Sequence, residues 1–424
     1  MTTLRNNHNF RWLVLGQGIT VFGSRILSLA FSLTILDITG RADLFALFTS
    51  VIAATNLLSP IGGAISDRYD RKLIMVGNDA IHGLLALLFA LVLYQFNSVL
   101  SIGIIMVIFG ALNSIEGPNG AAILVDLVPK EKLESCRGIL EGIQNISMIL
   151  GPILGGVFYM MMGVQMLALF GGIFFLLATV MECFIRFPKR IIHSQKGAIK
   201  GIISDLKDGF AFIKANPLIY KTVLFAAFLN FAVTPGMDVA FPVIARITLH
   251  ANDFFYGLGM AFFSIGMAAG ALLTGKFSEK IKFNDLYKCF LFSAGFSLIS
   301  SLALFPAALA LGFYPSYLWF FISNLPMAAA FAVANVIFLA RVQKNIPSSM
   351  QGKVLGAIFA ISQCMKPFGQ ALFGVLCEWS KSAMYIPIIS TSAALVVAAL
   401  GMKRLLSGQN TTELDLKIDN PAVN

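Results

Sequence analysis

Twelve stretches of this chain are apolar for long enough to cross a bilayer, near residues 11–36, 43–62, 73–95, 98–121, 137–160, 164–187, 218–245, 254–275, 285–306, 314–340, 352–376 and 382–402. A spanning helix needs about 20 mainly apolar residues, because every backbone N–H and C=O in lipid must be paired within its own segment. Twelve such spans use roughly 240 residues. The 424-residue chain then has room only for short loops, one longer connector and a tail, so large soluble domains are excluded. With 57% apolar and 12% charged residues, the chain reads as an all-α membrane protein.

The net charge of +10 acquires its meaning from where the basic residues lie. If the amino terminus starts in the cytoplasm, 26 of the 31 Lys and Arg fall on the inner side. Arg41, Arg246 and Lys381 fall outside, and Arg25 and Lys366 lie within spans. The positive-inside rule therefore predicts a multi-pass protein of the cell inner (plasma) membrane with both termini cytoplasmic, in contact with anionic lipid. No nucleic-acid partner is needed. The first apolar run is too long for a signal-peptide core and reads as a retained helix.

The chain divides into an amino-terminal unit (1–187), a cytoplasmic connector (188–217), a carboxy-terminal unit (218–406) and a polar tail (407–424). Within the connector, Asp205 to Lys214 reads either as an amphipathic helix on the inner leaflet or as a solvated linker. Five cysteines without CxxC or Cys/His spacing argue against a disulfide framework or a metal site, and suit packing. There is no GxxxxGK[ST] loop and no HExxH pair, so neither ATP hydrolysis nor a familiar membrane enzyme is supported, and no cofactor is implied.

Two weak repeats share one spacing. Gly63-Ala64-Ile65-Ser66-Asp67-Arg68, between spans 2 and 3, returns as Gly275-Lys276-Phe277-Ser278-Glu279-Lys280 at an offset of 212. Ile146 to Pro152 in span 5 is echoed by Ile361 to Pro367 in span 11, at 215. Together they predict two pseudo-symmetric six-helix bundles, duplicated in parallel.

Two motifs carry a family resemblance. Gly63-Ala64-Ile65-Ser66-Asp67-Arg68-Tyr69-Asp70-Arg71-Lys72 resembles the loop 2–3 signature of the major facilitator superfamily, with Asp70 where that signature often has glycine. Gly151-Pro152-Ile153-Leu154-Gly155-Gly156 resembles the antiporter motif of exporters, with Ser147 where its leading glycine belongs. Leu127 to Leu133 and Ala240-Phe241-Pro242-Val243 are similar to the macrolide-efflux-like branch of the drug/proton antiporters. On physical grounds, Gly63 removes a side chain where helices approach, and Asp67 and Arg71 place opposite charges at a partly desolvated boundary. The resemblance implies that Asp67 meets Gly352 and Lys353 at the start of span 11, while Arg71 pairs with Asp126, forming a gate. The alternative is that Arg68, Arg71 and Lys72 only anchor topology. Gly151 and Pro152 mark either a bend or close contact, or ordinary glycine packing.

Charges within spans are the sharpest functional signal, since each costs at least about 2.5–3.5 kcal/mol at a helix centre. Arg25 and Lys366 each lie about 21 Å from the inner end of their span at 1.5 Å per residue. Glu116 and Glu141 sit nearer the inner side, and Asp238 nearer the outer. The resemblance places Arg25, Glu116 and Asp238 toward a central cavity lined by spans 1, 4, 7 and 10. Asp238 or Glu116, then Glu141, are the proton candidates. Arg25 and Lys366 would be counter-ions or ligands for an anionic substrate group. Fixed ion pairs holding helices together are the alternative for each. Asp79 and His82 of span 3 rank lower, because that span tends to be peripheral. The expectation is a secondary active transporter, a monomer, exporting amphipathic small molecules of drug or siderophore class by proton antiport with alternating access. An importer or lipid flippase on the same fold, or a non-transporting receptor, are the rivals.

Overall fold

The computed structural model describes residues 8–95, 98–129, 132–187, 198–277, 285–344, 346 and 351–407. Among them there are helices and turns but no strand. Span 1 is His8–Thr39, and it ends at Gly40, whose φ of +57° suits the glycine C-terminal stop of a helix. Span 2 comprises Ala42–Thr55 and Ser59–Arg68, joined by the tighter turn Asn56–Leu58. Span 3 is Arg71–Gln95, and span 4 is Val99–Leu127, capped by the Ser98 side chain. Spans 5 and 6 form one run, Leu133–Cys183, that turns at Gly163 with φ 77° and ψ 169°, angles open mainly to glycine. The backbone angles stay helical through Pro152.

In the second half, Asn216 and Pro217 start span 7 by the usual polar cap and first-turn proline. That span begins as Pro217–Ala232 and continues through two π-helical turns, Gly236–Ala240 and Ile244–Thr248, around Phe241–Val243. Spans 8 to 12 are Asp253–Phe277, Leu286–Leu302, Phe313–Lys344, Gln351–Trp379 and Tyr385–Ser407.

Packing follows the duplication expected from the repeats. Spans 1 and 5, 2 and 4, 3 and 4, and 3 and 6 touch in the first half, and their partners six spans later, 7 and 11, 8 and 10, 9 and 10, 9 and 12, touch in the second. Span 2 meets span 11 and span 5 meets span 8, so the interface between the bundles is itself symmetric. Close approach is made by small residues, because lipid supplies no hydrophobic drive between helices. A side chain on Gly266 would strike the span-10 backbone at Leu325, 2.7 Å away. Leu84, Leu88, Leu91 and Ile104 are exposed and form part of an apolar exterior.

The connector contains the helix Ala198–Ala215. It packs on span 11, on the second segment of span 2 and on span 7, with Ile213 only 3% exposed. Ile213 is thus turned to protein, while Phe210 of the same helix is exposed.

Candidate substrate cavity and gates

The end of the molecule that carries Arg68, Arg71, Lys72 and Lys132 is its basic face. A cavity of about 340 Å³ opens there, lined by Gln17 of span 1, Glu116 and Gly120 of span 4, and Arg137, Glu141 and Gln144 of span 5. Glu141 accepts from Arg137 Nε at 3.1 Å, one turn away on the same helix, and both side chains are more than half exposed. Such a pair contributes little to stability. Deeper in the bundle, Arg25 interacts electrostatically with Glu116. Its place is set by Gly151, where a Cβ would come within 2.6 Å of the Arg25 Cβ.

The second half holds a different arrangement. Lys366 Nζ lies 2.8 Å from Asp238 Oδ2, and Gln370 Nε2 donates to the same oxygen at 3.1 Å. Asp238 occupies the first π-helical turn of span 7, and π-turns recur at functional sites. The tight packing there is permitted by Gly236, since a Cβ would overlap the Thr391 side chain of span 12.

At the face opposite the basic one, the halves are locked together. Arg246, in the second π-turn of span 7, donates from Nε and Nη2 to both oxygens of Asp37 at the end of span 1, each at 2.6 Å. Its Nη1 lies 2.9 Å from Asp253 Oδ1 of span 8, and Tyr159 of span 5 donates to Asp37 at 3.0 Å. Bidentate guanidinium–carboxylate pairing of this kind fixes geometry as well as charge. The same end is closed by backbone contact. A side chain at Gly156 would overlap the Asp253 carbonyl, and one at Gly257 the Pro152 carbonyl. The Ala42 N–H donates to Glu378 Oε2 of span 11 at 2.9 Å. Gly155 faces span 1 at Ile26 and Leu29. The span-5 motif therefore joins span 5 to span 1 within its half and to span 8 across the interface.

On the basic face, Arg71 Nη1 donates to Asp126 at 2.7 Å and to the Ala122 carbonyl at 3.0 Å, and its Nε donates to the Ser66 carbonyl at 3.3 Å. Asn119 ties this corner together, donating to the Arg71 carbonyl and accepting from Ser66. The close helix approach expected at Gly63 is made instead by its neighbour. A Cβ on Gly62 would lie 2.8 Å from the Ile115 Cα, whereas one on Gly63 would have Pro118 no nearer than 3.8 Å. Arg68 is half-buried. The side chains of Asp67, Gly352 and Lys353 lie outside the described residues, and with them the expected contact between loop 2–3 and span 11.

Twelve spans in two matched bundles, a loop 2–3 corner and a one-sided cavity can now be set beside known proteins. The chain matches the Major Facilitator Superfamily over residues 13–370. It belongs to that superfamily. Among its relatives is the MFS-type transporter YfiS of Bacillus subtilis (strain 168), 28% identical, with 88% of each chain covered. Macrolide efflux protein A of Streptococcus pyogenes is 23% identical, covering 86% of this chain and 88% of that protein. The enterobactin exporter EntS of Citrobacter koseri is 24% identical over 96% of this chain and 94% of its own. The crystal structure of a bacterial homologue of the iron transporter ferroportin superposes with a TM-score of 0.72 at 16% identity, over 93% of this chain and 98% of that one. As a member of the Major Facilitator Superfamily, the chain is a multi-pass membrane transporter and not an enzyme. Among the described residues, no group of three or more His, Cys, Asp or Glu is arranged to hold a metal.

Several members of the superfamily chain's polar core were not evident from sequence. Asp79, which ranks low by sequence on a span expected to be peripheral, is 1% exposed and accepts a hydrogen bond from Thr20 of span 1. Glu182, at the end of span 6, is fully buried and accepts from Gln17 Nε2 at 3.5 Å. Gly16 makes room for it, since a Cβ there would stand 2.9 Å from the Glu182 Cγ. Arg246, counted in the sequence only as an outer-loop charge, is the centre of the opposite-face lock. An acidic residue among mainly apolar ones at 178–185 was the available signal; Gly16 is one of three glycines in span 1, with Gly18 and Gly23. His82 sits between Phe109 and Phe175, with ring centroids 4.4 and 5.1 Å away, as a packed core histidine.

Proposed function

We propose that this transporter exports amphipathic small molecules, of drug or siderophore class, in exchange for protons, by rocking the bundles 1–187 and 218–406 about the cavity. The observation that carries the reading is the asymmetry of access. The cavity with Glu116 and Glu141 opens on the basic face, while Arg246 and its two carboxylates shut the other. By the positive-inside rule the basic face is cytoplasmic, with both termini, which is the side where an exporter loads. The exporter relatives support the direction. Proton coupling has ample driving force: one charge crossing about 180 mV gains roughly 4 kcal/mol, equivalent to about a thousandfold gradient. In this reading Glu116, which lines the cavity, takes up the proton with Arg25 as its counter-ion, and Lys366 is the counter-ion of Asp238. The working unit is a monomer in lipid.

The deciding experiment uses purified protein in liposomes with radiolabelled erythromycin and a ferric catecholate as probes, under a pH gradient of either sign. Accumulation against the proton gradient, in one orientation only, is the expected result; flux indifferent to the gradient's sign would rule out antiport. A second reading, a flippase for lipid-like amphiphiles, is favoured by one feature. An apolar crevice of about 400 Å³ between spans 1, 5 and 6, lined by Leu15, Ile19, Phe22 and Phe174, shares Ile143 with the polar cavity. Transbilayer movement of a fluorescent phospholipid in the same vesicles distinguishes the two.

A further inference from the structure

We propose that the carboxyl pair Asp79 and Glu182, buried inside the first bundle away from the substrate cavity, is where the coupling proton is held, and that Glu116 passes it to Asp79 through a single bridging water. This deepens the antiport reading above and rests on it.

Beneath the main cavity lies a small one of about 10 Å³, enclosed by Gln17, Asn78, Asp79, Glu116, Asn119 and Gly120 together with apolar side chains. That volume is close to the space one water needs, and a buried water also needs two to four polar partners. Gln17, Glu116 and Gly120 line both cavities, so the two adjoin. The walls offer carboxyl oxygens from Asp79 and Glu116 and, above all, Asn78 Nδ2, a donor in a residue only 6% exposed that has no hydrogen-bond partner. A buried unpaired amide costs about 1–3 kcal/mol, and Asn78 lines this space, so an occupant that accepts satisfies it. A water does so, accepting from Asn78 while donating to a carboxylate.

Past Asp79 the polar path continues. Asp79 holds Thr20, and Gln17, which lines both cavities, also donates to Glu182. The second oxygen of Glu182, Oε2, is buried and unpartnered, and among the described residues no basic side chain forms an ion pair with this carboxyl. The charged and titratable groups facing the pair are Glu116 from span 4 and, beyond it, Arg25 from span 1; on span 3 itself His82 is turned to the carbonyls of Asn78 and Phe109. Two carboxyls interacting at low dielectric repel when both are ionised, and one added proton relieves that repulsion. A proton arriving from the cavity binds Glu116. The water accepts it and gives one of its own to Asp79, leaving the water neutral and Glu116 ionised beside Arg25. Release reverses the steps when the cavity changes sides. Because the route runs behind the cavity wall, cargo and proton need not compete for one place.

The test begins with a readout independent of cargo. Infrared difference spectra of purified wild type, Asp79→Asn, Glu182→Gln and Asp238→Asn are recorded on stepping from acid to alkaline pH. A carboxylic-acid C=O band that titrates in the wild type, is diminished in Asp79→Asn and in Glu182→Gln, and persists in Asp238→Asn is the expected result. A band unchanged in both of the first two variants overturns the site. Asn78→Leu keeps both carboxyls but removes the water's partner, and should slow the appearance of the band; an unchanged rate overturns the relay. In liposomes with radiolabelled erythromycin, Asp79→Asn should lose gradient-driven flux by about tenfold or more while equilibrium exchange stays within about twofold. Equal loss of both overturns the coupling role. A wild type whose flux ignores the pH gradient defeats the antiport reading itself, and is recognisable because the infrared band would still titrate.

Discussion

In the second bundle the carboxylate of span 7, Asp238, meets Lys366 of span 11 at 2.8 Å, whereas at the matching place in the first bundle Arg25 of span 1 lies over Gly151 of span 5. The offsets between these residues, 213 and 215, fall on the spacing of the internal repeats. The helix contacts have been kept through the duplication, and the charges have not. In the second half a cation and an anion are paired with one another. In the first half a single guanidinium answers to Glu116, with Asp79 and Glu182 left inside the helices behind it. A scaffold that repeats its packing therefore need not repeat its charges.

The comparison can be broken most severely by copying one half into the other. Gly151→Lys places the span-11 cation in span 5, directly against Arg25, and adds side-chain bulk where a Cβ already comes within 2.6 Å. Burying like charges with overpacking should cost more than about 3 kcal/mol, and the protein should fail to elute as a single species from size-exclusion chromatography. A well-folded variant would show that the two sites are not equivalent in packing.

Next in size is Lys366→Met. It leaves Asp238 with Gln370 alone, and because Asp238 is 35% exposed the loss is set at about 2 kcal/mol, below the range for fully buried pairs. Thermal unfolding followed by fluorescence should report a lower midpoint, and the double variant with Asp238→Asn should recover most of it. No recovery would mean that Lys366 acts through something other than its partner.

Arg246→Ala tests the lock rather than the bundles. Removing a bidentate pair that bridges the halves should raise labelling of a cysteine placed at Ala46, beside Gly374 on the closed face, by about tenfold, equivalent to about 1.4 kcal/mol. Labelling unchanged from the parent would assign closure to the Gly156 and Gly257 contacts alone. The smallest effect belongs to Arg137→Ala. Its pair with Glu141 is 72% and 58% exposed, so stability should move by less than about 0.5 kcal/mol by the same unfolding assay.

Much of this was legible in the residues. The twelve spans, the turn near 163 between spans 5 and 6, and the duplication follow from local composition and from glycine and proline, and those signals act over a few residues. The loop 2–3 motif pointed to Arg71 and Asp126, which meet. Lys366 and Asp238 stood out as charges in apolar surroundings, but their mutual contact did not, since they are far apart in sequence and on different helices. Asp79 and Glu182 were hidden for a related reason. Whether a residue on span 3 or at the end of span 6 faces lipid, water or protein depends on the rotation of its helix, and apolar flanks look alike in each case. The Gly62 contact shows the limit at its finest, one residue being enough to exchange a tight face for an open one.

By itself the sequence determined how many helices there are, roughly where each lies, and that they come in two related sets. Lipid enforces this locally, because each segment must satisfy its own backbone hydrogen bonds before it meets any neighbour. Only the tertiary structure decided which charge answers which, and which end is shut. Those outcomes depend on the angle at which one helix presents a side chain to another, a quantity fixed by packing between segments far apart in sequence, 209 residues in the case of Asp37 and Arg246.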